Sequence, residues 1–112
     1  MIKLRESQTA VLERGVLLQD QVLTEPFEVA WATEARWFVQ FLNEDDGRVK
    51  ITVQVSPDGL AWVDHEQPPT TGATSGLITV AVNQLGHWLR LVVEREGGSN
   101  PPLTRIYLAL KG

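Results

Sequence analysis

A chain of 112 residues supports one domain around one core and is too short for two. Its apolar fraction of 43% and charged fraction of 21% are those of a globular protein. The net charge of −4, with ten scattered basic residues, excludes the basic footprint of a nucleic-acid binder, and the lack of cysteine excludes disulfides, zinc–thiolate sites and thiol nucleophiles.

The absence of cysteine favours folding in a reducing cytoplasm, and the N-terminus, Met1-Ile2-Lys3-Leu4-Arg5-Glu6, lacks the apolar run of a signal peptide. No stretch approaches the roughly 18 apolar residues that a membrane helix needs. Residues 1–23 form a segment with apolar anchors at Ile2, Leu4, Val11, Leu12, Val16, Leu17 and Leu18. No clean 3.6-residue stripe supports a helix over 2–18. Thr9–Leu12 and Val16–Leu18 read instead as two short strands around Glu13-Arg14-Gly15. Two roles stay open for this segment. It adds a strand to a neighbouring subunit as an assembly arm, or it supplies the first strands of its own domain.

Residues 24–112 read as a β-sandwich. Phe27-Glu28-Val29-Ala30-Trp31 alternates after Pro26, and Arg36 to Leu42 is rich in aromatic and β-branched residues. Asn43-Glu44-Asp45-Asp46-Gly47 is turn chemistry. Val49, Ile51, Val53 and Val55 then alternate with Lys50, Thr52, Gln54 and Ser56, a strand with one buried and one wet face. Ser56-Pro57-Asp58-Gly59 reverses the chain: Pro57 presets φ and Gly59 takes the left-handed position. A partner strand follows over residues 60–64. Gln67 to Gly76 is a polar loop whose prolines and glycines exclude a central strand. Leu77–Val82, His87–Arg95 and Leu103–Leu110 are the remaining strands, with the loop Glu96 to Pro102 between the last two.

The pattern of about seven to nine short strands spaced by roughly 8–12 residues predicts an all-β fold, a single antiparallel β-sandwich of jelly-roll type.

No residue set reads as an active site, and no cofactor or metal site is predicted. His65, between Asp64 and Glu66, fits a solvated strand end, because adjacent strand residues point to opposite faces. Asp45-Asp46-Gly47 lacks the distal acidic ligand of a calcium loop. No glycine-rich loop precedes a helix, and neither Ser75 nor Ser99 has a nucleophile elbow. Trp62 and Trp88 are expected inward with the aliphatic set. Trp31 and Trp37 are candidate outward contacts for a neighbouring subunit, since one of Trp37 and Phe38 must face away from the core.

The hairpin Ser56-Pro57-Asp58-Gly59-Leu60-Ala61-Trp62 resembles one carried by small β-sandwich proteins of tailed-phage virions and by related surface-layer or spore-surface proteins of Gram-positive bacteria. Thr24-Glu25-Pro26-Phe27-Glu28-Val29, Trp37 to Phe41 and His87-Trp88-Leu89-Arg90-Leu91 follow in similar order. The lack of cysteine departs from disulfide-stapled spore-appendage subunits. The resemblance implies a structural, self-associating protein and transfers no catalytic residue. The expectation is a non-catalytic virion component made in the host cytoplasm, either capsid decoration (cement) or a tail or fibre subunit. Its expected partners are its own copies, as a trimer or filament, and the major capsid protein, with no nucleic acid and no membrane. The alternatives are a carbohydrate-binding module, with a glycan on an exposed tryptophan, and a bacterial surface or spore fibre subunit.

Overall fold

The computed structural model describes residues 6–43 and 45–112. Ile2 and Leu4, two of the candidate assembly contacts, lie outside the described residues. Ten strands are seen among the described residues: β1 (Ser7–Leu17), β2 (Gln21–Leu23), β3 (Phe27–Glu28), β4 (Glu34–Phe41), β5 (Arg48–Ser56), β6 (Val63–Asp64), β7 (Thr70–Ala73), β8 (Leu77–Val82), β9 (Trp88–Arg95) and β10 (Leu103–Lys111).

They form a β-sandwich of two antiparallel sheets. Sheet A has the order β1-β10-β4-β8. Sheet B has the order β2-β9-β5-β6, with β3 also on β9 and β7 also on β5. The chain crosses repeatedly between the layers, an order compatible with a jelly roll.

Period-two patterning builds the core. Ala35, Trp37, Val39 and Phe41 of β4 and Ile106, Leu108 and Leu110 of β10 face Val49, Ile51 and Val53 of β5 and Leu89, Leu91 and Val93 of β9. Leu18, Val22 and Val29 add to this core from the chain between β1 and β4.

The first third differs from the sequence expectation. One strand of 11 residues replaces the two short ones, and Glu13 marks two register shifts against β10 rather than a turn. Such bulges let an edge strand bend without ending its ladder. The strand expected over 27–31 stops at Glu28, where the Glu28 carboxylate accepts the Ala30 N–H at 2.8 Å and turns the chain. Part of the polar loop 67–76 forms β7, which pairs with the beginning of β5 at the sheet edge.

Candidate functional site

The candidate surfaces are the outer faces of the two sheets. On sheet A, Phe38 lies between Trp37 and Val39, which are fully buried, so its side chain points outward. Tyr107 pairs with Phe38 in register, and Val11 pairs with Tyr107. The three make an aromatic and apolar row across β1, β10 and β4. Thr9, Gln40, Leu77 and Ala109 complete a shallow depression around Phe38 and Tyr107. Val11 is 42% exposed and Leu77 58% exposed, large values for apolar side chains on a sheet.

The expected assembly residues separate into three groups. Val11 and Leu17 are exposed. Leu12, Val16 and Trp31 are half-buried against the core, Trp31 from the turn before β4 rather than from a strand. Leu18 and Trp37 have no exposed surface, so neither offers a contact to another subunit. The outward member of the Trp37–Phe38 pair is Phe38. Its neighbours two residues away, Arg36 and Gln40, are polar, whereas those of Trp37 are Ala35 and Val39, and this phase was visible in the sequence.

On sheet B the expectation for two tryptophans is corrected. Leu89 and Leu91 fill the inner face, which puts Trp88 and Arg90 on the outer side. The Arg90 guanidinium carbon lies 4.3 Å from the centre of the Trp62 ring. Arg90 Nε donates to Gln54 Oε1 at 2.6 Å, and Gln54 Nε2 donates to Asp64 Oδ1 at 2.8 Å. The result is one polar row, Asp64–Gln54–Arg90, ending on an indole face, where cation–π attraction holds the guanidinium. Trp88 packs over the hairpin turn: a Cβ on Gly59 would come within 3.2 Å of its ring.

That turn is tightly held. Ser56 Oγ accepts the N–H groups of Asp58 and Gly59, and Asp58 Oδ1 accepts those of Leu60 and Ala61 at 2.8 and 2.9 Å. Gly59 has φ of +82°, as the turn requires. These bonds from Ala61 and Leu60 hold the Asp58 carboxyl below the ordinary value of 3.8, against a smaller opposing effect of burial.

Asp45 and Asp46 staple a second loop. Asp45 accepts from the Gly47 N–H, the Thr74 hydroxyl and the Asn100 N–H, and Asp46 accepts both the N–H and the hydroxyl of Ser99. Burial pushes the Asp45 pKa upward, but the bonds from Asn100 and Thr74 outweigh it, and the value falls below 3.8. Their carboxylate oxygens are engaged by protein donors, a loop-closing role in keeping with the turn chemistry of the sequence.

The Asp45 and Asp58 carboxyls are both more acidic in the folded chain than in the unfolded one. Their contribution to stability is therefore present above about pH 3.8 and is lost as pH falls through the folded values. Denaturation midpoints measured from pH 6 down to pH 2 are expected to fall chiefly below pH 3.8, and Asp45→Asn with Asp58→Asn to flatten that fall.

His65 is buried, at 7% exposure, and not at a solvated strand end. Its Nε2 lies 2.6 Å from the Asn83 carbonyl oxygen, while Nδ1 accepts the Gln67 N–H at 3.0 Å. That geometry places the ring proton on Nε2. The imidazole thus ties the loop after β6 to the turn between β8 and β9. His87 is exposed, and its carbonyl accepts the Val29 N–H. Among the described residues, no three His, Cys, Asp or Glu side chains are grouped to hold a metal ion.

No protein-family model matches the chain, and no curated protein matches it in sequence. Solved structures do resemble it. The PBSX exported protein XepA superposes with a TM-score of 0.64 at 9% identity, over 92% of this chain and 36% of that one. The SPBc2 prophage-derived protein YomS gives a TM-score of 0.64 at 7% identity, over 100% of this chain and 98% of that one. A chain of the nora virus structure gives 0.52 at 12% identity, over 100% of this chain and 61% of that one. This chain therefore spans about a third of XepA and nearly the whole of YomS. At such identities the likeness is one of fold.

Proposed function

We propose that the chain is a non-catalytic structural subunit of a phage particle, a capsid-decoration or tail or fibre component that associates with copies of itself. The observation that carries this reading is the outer face of sheet A. Val11, Tyr107 and Phe38 form one cross-strand row there, with exposed Leu77 nearby, and the sandwich itself buries none of that row completely. A contiguous apolar row on a sheet is a surface for a partner. The fold shared with YomS, prophage-derived by its description, supports the same direction, as do the residues of the Ser56–Trp62 hairpin. In this reading the subunit is made in the host cytoplasm and resides in the virion, against its own copies or the major capsid protein.

A second reading, a carbohydrate-binding module, is favoured by the Trp62–Arg90–Gln54–Asp64 row, where an indole adjoins side chains that form hydrogen bonds. Sedimentation velocity at rising concentration, paired with a tryptophan-fluorescence titration against a glycan panel, separates the two. The structural reading predicts a defined oligomer and no glycan response. A strict monomer whose fluorescence responds to a glycan, and no longer does so after Trp62→Ala, would replace it with the second.

A further inference from the structure

We infer that β1 is an interface strand, and that its free edge pairs antiparallel with β1 of a second copy across a two-fold axis near Thr9. The inference rests on the structural-subunit reading and names the surface that makes the first contact.

Antiparallel ladders alternate residues whose backbone groups face the partner with residues whose groups face away. The Gly112 N–H donates to the Glu6 carbonyl at 2.8 Å, and Gln8 and Ala10 continue the same register opposite Leu110 and Leu108. Ser7, Thr9 and Val11 therefore point their N–H and C=O groups away from β10. Among the described residues those groups have no partner on that side. The run Ser7-Gln8-Thr9-Ala10-Val11-Leu12 contains no charge, proline or glycine, and the bulges begin only after Val11. It lacks the usual devices that keep an edge strand from pairing.

The other sheet edges are short or covered. β2 and β3 have three and two residues, and β6 and β7 two and four. β8 is longer, but Gln67 Nε2 donates to the Ala81 carbonyl, and His65 holds the Asn83 carbonyl just beyond its end. The long open edge is thus β1, and the edge it fits is its own copy. A contact of this kind is isologous and closes as a dimer. An axis at Thr9 sets Thr9 against Thr9 and Ser7 against Val11 of the second copy. It forms about six backbone hydrogen bonds and opposes no like charges. A larger assembly grows from this pair only through another surface, such as the Val11–Tyr107–Phe38 row.

Thr9→Pro tests this directly. The Thr9 N–H faces away from β10, so proline there removes no hydrogen bond within the subunit, yet it blocks the pairing. Thr9→Lys is the second variant, because it sets two ammonium groups against each other at the axis. Light scattering and amide hydrogen exchange are read together. The wild type is expected at twice the chain mass, with the Thr9 and Val11 amides protected more strongly as concentration rises. Both variants are expected at half the wild-type mass with a Tm, read on dilute samples, close to that of the wild type. Variants that keep the wild-type mass overturn the pairing and leave the structural-subunit reading standing. A single-chain wild type with freely exchanging Thr9 and Val11 amides also overturns it, and leaves the edge to a strand of a different protein.

Discussion

Trp37→Ala is expected to destabilise the fold by about 3–5 kcal/mol, the range for removing a large aromatic from a packed core. Trp37 is the largest of the side chains with no exposed surface, and it lies on β4 between two strands of the same sheet. In register it stands between Leu108 of β10 and Val80 of β8, both also buried. An alanine there opens a void that neither neighbouring strand can close without moving its ladder. Thermal unfolding is expected to show a Tm lowered by roughly 15 °C or more. Trp37→Phe supplies the contrast. The indole Nε1 is buried and has no hydrogen-bond partner among the described residues. Phenylalanine removes that N–H and leaves a smaller void, so its cost is expected at about 1–2 kcal/mol. Equal losses in the two variants would contradict this account of the site.

His65→Ala is expected to cost about 2–4 kcal/mol, because it strips a partner from two backbone groups at once. The Gln67 N–H loses the Nδ1 acceptor, and the Asn83 carbonyl loses the Nε2 donor. The effect is also local. Gln84, next to Asn83, holds a φ of +60°, a strained position for a residue with a side chain. Without the imidazole the turn between β8 and β9 loses a tie that holds it there. Amide exchange at Gln67 and along β8 is expected to accelerate before exchange in β4 does. A chemical-denaturation curve identical to the wild type would show that the imidazole is dispensable.

The strands that carry the core were legible because each has one apolar phase. Val49, Ile51 and Val53 alternate with polar residues, as do Ile106, Leu108 and Leu110 with Arg105, Tyr107 and Ala109, and both sets are buried. The hairpin turn was legible because its requirement is local: Gly59 takes the positive φ, and Ser56 and Asp58 bond within a few residues. Trp62 was misread because six residues separate β5 from β6, so strand parity does not carry through to it. Trp88 was misread although its side was legible: it shares the phase of Arg90, Val92 and Glu94, opposite the buried Leu89, Leu91 and Val93. The burial of His65 depends on carbonyl groups 18 and 19 residues away, which no local pattern reports. In β1, Gly15 reads as a breaker, yet the strand runs through it to Leu17. The outer face of sheet A was half legible. The Trp37–Phe38 pair announced an outward aromatic, but its companion Tyr107 reaches it only through the pairing of β10 with β4.

The proposed role as a particle subunit is tested most directly by the composition of purified phage particles. Quantitative mass spectrometry of particles from the host that carries this gene is predicted to find the chain in a fixed ratio to the major capsid protein, retained through density-gradient purification. Its absence from intact particles, with the folded chain recovered only in the free fraction, would contradict the account.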